Sequence, residues 1–192
     1  MTVPTDLPIL FFENQNAWEE WLENNHHSST GIWIKFHKKD SKMPSMYYPQ
    51  AVEGALCYGW IDGQARKYDE HSYLQRFTPR RPKSVWSKIN TQHIERLQKA
   101  GKMKPAGLKA VEEAKKDGRW EQAYDSPTNM KLPTEFLKRL EENKKAKAFF
   151  ETLNKTNVFA IGYRLQTAKK PETLENRIQK ILTMLEKGEK FH

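Results

Sequence analysis

Residues 53–90 read EGALCYGWIDGQARKYDEHSYLQRFTPRRPKSVWSKIN, and the change of period inside this stretch decides the fold class. Ala51, Val52, Ala55, Leu56 and Tyr58 lie at helical spacing and form an apolar face that Gly59 ends. Residues 60–68 and 71–78 then read as two strands joined across Asp69 and Glu70, an antiparallel hairpin. From Ser87 onward the spacing becomes helical again.

Upstream of this stretch, GIWIKFHKK (31–39) sets Ile32, Ile34 and Phe36 or His37 against Trp33 and Lys35, a strand with bulky residues on both faces. Before it, Asn14 or Asn16 caps a helix carrying Trp18, Trp21, Leu22 and Asn25. Downstream the spacing predicts helices over 86–100, 106–117, 133–152, 156–169 and 171–187, with breaks at Gly101, Pro105, Gly118, Pro127, Pro133 and Pro171. The last is the clearest, with Leu174, Ile178, Ile181, Leu182 and Leu185 on one stripe. The expectation is an α+β protein: a small antiparallel sheet flanked by helices over 1–100, and a helical C-terminal half over 101–192 packed on it, the two meeting near Gly101.

The chain has 192 residues, and its 22 aromatic side chains supply a large buried area at only 37% hydrophobic content. A core large enough for a globular domain follows. Cys57 is the single cysteine, which excludes an intramolecular disulfide and suits a reducing cytoplasm. The opening MTVPTDLPILFF has no basic region ahead of its short apolar run, and no stretch reaches the length of a membrane span, so neither a signal peptide nor membrane insertion is expected.

The formal charge is +9, with 12 Lys/Arg against 11 Asp/Glu in residues 1–96 and 21 against 13 in 97–192. Seventeen of those 21 are lysines spread among glutamates, the pattern of a solvated helix surface rather than a nucleic-acid face. The arginines are placed differently. Arg80, Arg81 and Lys83 lie in a proline-stiffened loop just before a helix start, with Ser84 or Ser87 as N-cap, a placement that would let backbone N–H groups and guanidinium donors converge on an anion.

The candidate ligand-binding set is therefore Trp60, Asp62, Arg76, Arg80, Arg81, Lys83, Trp86 and His93. Trp86 or Trp60 would be a stacking wall. His93, on the following helix, would be a proton acceptor. Asp62 and Arg76 face each other in the expected hairpin and read first as a cross-strand ion pair. No GxxxxGK or GxGxxG motif is present, and the histidines at 26, 27, 37, 71, 93 and 192 show no HxxxH or HExxH spacing, so no cofactor and no metal site are expected. Cys57 reads as a core thiol.

ALCYGWIDG (55–63), RFTPRRPKSVWSKIN (76–90), the Gly101/Met103/Pro105 segment, DGRWEQAYD (117–125) and AKKPETLENRI (168–178) together resemble the YdeI/OmpD-associated family, whose members carry a bacteriocin-protection label. The resemblance runs from about Phe11 to Leu185. It departs from the family pattern at Leu174, where a basic residue is expected after the threonine. The family supplies no agreed activity, cofactor or catalytic residue; its label implies a setting of peptide resistance or envelope stress.

Three function classes follow. The first is a binding module for an anionic small molecule or partner, and the second an enzyme on a small phosphorylated or carboxylated substrate with Asp62 or His93 as acid/base. Nucleic-acid binding ranks third. Apolar area on the terminal helices leaves a homo-oligomer open.

Overall fold

The computed structural model describes residues 4–41 and 43–190. They divide into two compact units, the first made of residues up to Ser84 together with Asn90–Trp120, the second of Val85–Ile89 together with residues from Glu121 onward. Gly101 lies inside the first unit.

The first unit contains a four-stranded sheet of order β1-β2-β4-β3, formed by β1 (Ile9–Phe11), β2 (Ile32–His37), β3 (Trp60–Lys67) and β4 (Ser72–Pro79). The β3–β4 hairpin and the strand at 32–37 are those expected from the sequence. β1 is an addition. It pairs parallel with β2, which makes the sheet mixed, and with three residues it offers no alternation from which a strand could be read.

Helix α1 (Gln15–Asn25) starts at Asn14, whose Oδ1 accepts the Ala17 N–H at 3.0 Å. Such a cap contributes about 1 kcal/mol. Trp18 and Leu22, one turn apart, are fully buried, and the Trp18 Nε1–H donates to the Ala51 carbonyl of α2 (Tyr48–Cys57) at 3.0 Å. Trp18 stacks on Trp21 and meets Trp60 and Phe77 at ring-centroid distances of 6.3 and 5.7 Å. α1 and α2 thus cover the sheet face that carries Ile32, Ile34, Phe36, Trp60 and Phe77.

Trp33 lies on the opposite face and is also fully buried. Its Nε1–H donates to Asp6 at 3.0 Å, and the guanidinium groups of Arg66 and Arg76 lie 5.3 and 5.9 Å from its ring centre. The two arginine side chains therefore cover Trp33 on this face as α1 and α2 cover the other face of the sheet.

After α2 the chain turns at Gly59, whose φ of +73° a side chain would strain. α3 (Lys88–Lys99) is followed by α4 (Pro105–Lys116), which approaches α2 end-on. A Cβ on Gly107 would sit 2.2 Å from the Cys57 carbonyl oxygen, so only glycine permits this approach. The same oxygen accepts the Lys104 N–H at 3.1 Å.

The second unit is helical: α5 (Thr134–Glu142), α6 (Lys144–Phe150), α7 (Lys155–Gln166) and α8 (Pro171–Glu186). The single helix expected over 133–152 is two. Asn143 leaves the helical region with φ −108° and ψ 87°, and its side chain accepts the Ala146 N–H at 3.1 Å, so one asparagine ends α5 and caps α6. The core joins Phe136, Leu140, Ile161, Leu165, Ile178 and Ile181. Val85–Ile89 contributes backbone to this unit: Tyr124 N–H donates to Trp86 O, and Lys88 N–H to Tyr124 O, both at 2.9 Å. Beside them the buried Asp125 takes Lys88 Nζ at 2.6 Å, Gln166 Nε2 at 2.7 Å and the Lys131 N–H at 3.2 Å.

Candidate functional site

The residues singled out from the sequence are dispersed. Trp60 is 1% exposed, wedged against Trp18 and Trp21 with its Nε1–H bonded to the His26 carbonyl, so it is a core anchor and not a stacking wall. Trp86 belongs to the second unit and is equally buried there. His93 lies on α3, where its Nδ1 accepts from Arg96 at 3.0 Å, and Arg96 in turn pairs with Glu53.

The expected Asp62–Arg76 ion pair does not form. A bulge between Asp62 and Ala65 shifts the register, so Asp62 pairs with Phe77 and faces the helices, while Arg76 pairs with Trp33 on the other side of the sheet. Arg76 finds Asp6 instead, at 3.2 Å. A one-residue slip inverts which face a side chain occupies, and Gly63 and Gln64 supply that extra residue. The Trp33 N–H and the Arg76 charge hold the Asp6 carboxyl below the usual carboxylate range.

Arg81 and Lys83 do share one turn, and Arg80 directly precedes it with its Nη1 donating to the Ser84 hydroxyl at 3.4 Å. The Ser84 N–H closes onto the Arg81 carbonyl at 3.1 Å, with Pro82 at the second position and Lys83 at φ +67° in the third, the geometry of a type II turn. The buried Arg119 donates from its Nη1 to the Ser84 carbonyl at 3.0 Å and pairs with Asp117 at 2.7 Å, which anchors the turn. Arg81 and Lys83 are without a carboxylate partner among the described residues.

What the sequence reading did not single out is a cleft of about 700 Å³ in the same unit, between the end of β2 and the start of α2. Its apolar wall is the Phe36–Tyr73 pair, stacked with ring centres 5.4 Å apart, and Tyr48 meets Phe36 edge-on. Desolvation raises the Tyr73 hydroxyl above its ordinary pKa, which keeps it neutral. Lys38, Lys39 and His37 also line the cleft, with Glu13 as its one carboxylate. Lys38 is held by the Glu70 carbonyl at 2.7 Å, and the His37 Nδ1 is buried without a hydrogen-bond partner among the described residues. Tyr47 and Met43 beside it are 67% and 57% exposed, unusual for such side chains. The only sequence signal was the doublet Tyr47–Tyr48 ahead of Pro49, a helix start carrying two aromatics.

Cys57 stays outside both features. It is buried, and burial pushes its thiol up to about 11, so it is a core group and not a nucleophile. Among the described residues no group of three or more His, Cys, Asp or Glu could hold a metal ion. No helix among them is long and apolar enough to cross a membrane. His192 lies outside the described residues.

These observations define an α+β protein whose mixed-sheet unit carries a lined cleft and whose second unit is a helical cluster. Residues 10–110 match the model of a domain of unknown function (DUF8412), and residues 129–188 match the family described as Bacteriocin-protection, YdeI or OmpD-Associated. The first match spans more than half of the chain, which therefore belongs to the DUF8412 family and carries a YdeI/OmpD-associated domain in its second unit. The family read from the motifs is found, over residues 129–188 and not over the whole span from Phe11 to Leu185: AKKPETLENRI falls in that match, ALCYGWIDG and RFTPRRPKSVWSKIN fall in the DUF8412 match, and DGRWEQAYD falls in neither. No curated protein and no solved structure matches the chain.

Proposed function

We propose that the mixed-sheet unit is a binding module for a small ligand with a flat apolar body and an anionic group. The observation that carries this reading is the cleft between β2 and α2. Its volume of about 700 Å³ suits a ligand of metabolite size, and its lining combines aromatic walls with a few convergent polar groups, the usual make-up of a ligand pocket. The Phe36–Tyr73 stack offers a planar wall. Lys39 and His37 at the edge favour a carboxylate or phosphate over a cation. Peptide resistance or envelope stress is the setting that the matched family description suggests for such binding.

The test is thermal unfolding of the whole chain against a panel of aromatic carboxylates, nucleotides, sugar phosphates and acyl anions at constant ionic strength. A selective rise in midpoint, lost in Tyr73→Ala and Lys39→Ala but kept in Arg81→Ala, supports the cleft. A rise lost only in Arg81→Ala moves the site to the arginine turn, and a flat panel removes the reading.

One observation favours the enzymatic alternative, the hydrogen bond from the Tyr48 hydroxyl to Asp62 at 2.6 Å, a phenol and a carboxylate placed for proton transfer. On that reading Asp62→Asn keeps ligand binding and abolishes turnover. Nucleic-acid binding would instead show as affinity that falls steeply with salt.

A further inference from the structure

The second unit holds a smaller cleft, of about 230 Å³, lined by Arg164, Thr173, Asn176, Arg177, Lys180 and Ile181. It lies between α7 and α8 and is too small for a metabolite-sized body, so it suits a single polar group with its water. Three of its six lining side chains are cationic and none is acidic.

The placement follows from helix spacing. Thr173, Arg177 and Lys180 stand four and then three residues apart on α8 and therefore share one face. Leu174, Ile178, Ile181 and Leu182 form the neighbouring stripe that closes on the core, and Ile181 also lines the cleft. Two cations three residues apart on one helix repel each other and call for a counter-charge. The acids of α8 do not supply it: Glu172 is outside the lining and forms no ion pair among the described residues, and the other two are engaged elsewhere. Glu175 is held by both terminal nitrogens of Arg139, at 2.7 and 2.8 Å, and Glu186 accepts from Asn143 at 2.6 Å. Neither Arg177 nor Lys180 has an ion-pair partner among the described residues.

Arg177 is fixed in place by its Nη1, which donates to the Arg164 carbonyl at 2.5 Å and the Thr167 hydroxyl at 3.2 Å. The first of these bonds satisfies one carbonyl in the last turn of α7, the negative end of that helix dipole. Its Nε and Nη2 donors face no protein acceptor among the described residues. Thr173 is the third residue of α8, in the turn whose N–H groups carry the positive end of the helix dipole.

We propose that the α7–α8 cleft binds a phosphate-type oxyanion, either inorganic phosphate or the phosphate of a small phosphomonoester. A guanidinium fork, an ammonium, a hydroxyl and an amide meet the tetrahedral oxygens of such a group, and the cleft volume accommodates it with its hydration. The site is independent of the β2–α2 cleft, and neither depends on the other being occupied.

The experiment titrates the full chain with inorganic phosphate, and in a second arm with phenyl phosphate, following phosphorus NMR line width at fixed ionic strength against chloride. The comparison uses Lys180→Gln, an exposed change that should leave the phosphate-free thermal midpoint unmoved, and Lys138→Gln as a lysine control outside the cleft. Saturable binding with one site per chain, weakened tenfold or more by Lys180→Gln and unchanged by Lys138→Gln, supports the proposal. Tighter phenyl phosphate then names the phosphomonoester, and equal affinities name the free ion. Absence of saturation, or equal loss in both lysine variants, overturns it.

Discussion

The Tyr48 hydroxyl donates to Asp62 at 2.6 Å, joining the first turn of α2 to the start of β3. The bond exists because Asp62 faces the helices, which the bulge at Gly63 and Gln64 makes so. Tyr48→Phe removes it while keeping the ring against Phe36, and should lower stability by about 1 kcal/mol. Urea unfolding with an unchanged slope checks this; a loss near zero would mean that the bond is exchanged for water without cost.

Two glycines that both face close neighbours should behave differently. At Gly107 the obstacle is the Cys57 backbone, 2.2 Å from a would-be Cβ, whereas at Gly162 it is the end of the Met130 side chain at 2.3 Å. Backbone cannot step aside, so Gly107→Ala should cost more than about 2 kcal/mol or stop the chain from folding. Met130 can change rotamer, and the helix gains about 1 kcal/mol from alanine, so Gly162→Ala should be close to neutral. Denaturation of the pair decides it, and equal losses would contradict the geometry.

Lys83 occupies the left-handed region at φ +67°. A non-glycine residue there carries a strain of about 1 kcal/mol. Lys83→Gly should therefore raise stability by up to about 1 kcal/mol, as seen in the chemical unfolding midpoint, while Lys83→Ala should not.

Acid should weaken the fold through carboxyls held below their ordinary values. For Glu23 the causes are the Tyr58 hydroxyl bond at 2.6 Å and then Lys104; for Asp6 they are the Trp33 N–H and Arg76. At Asp125 burial acts the other way, but the bonds from Lys88, Gln166 and the Lys131 backbone outweigh it. A carboxyl whose folded pKa is depressed stabilises the fold above its unfolded pKa, and the contribution disappears as pH falls through the folded value. The thermal midpoint should thus hold between pH 7 and 5 and fall below ordinary values of 4.5 for Glu23 and 3.8 for the aspartates. Glu23→Gln should flatten part of that fall.

The hairpin, the strand at 32–37 and most helices were legible because each repeats a period for six or more residues. β1 was not, since three residues carry no period, and Asn143 was missed because a polar residue inside an apolar stripe looks like its solvent side. The site was misread for a related reason. Pairing Asp62 with Arg76 assumes an unbroken register, and a single extra residue at Gly63 moves the two to opposite faces. The cleft was invisible because Phe36, Tyr48 and Tyr73 come from three separate elements whose meeting depends on the sheet order, which no local pattern encodes.

The five residues Val85–Ile89 have a consequence for how this protein can be cut or recombined. The sequence segment shared with the YdeI/OmpD-associated family, 129–188, is not the same object as the folded unit that contains it. A fragment beginning at Glu121 would leave the Tyr124 N–H without the Trp86 carbonyl and Asp125 without Lys88. What is inherited as one stretch of gene lies in a unit completed by a piece encoded well upstream of it, at 85–89, so a shuffled copy that carries the whole unit must find, or evolve, a substitute for that piece.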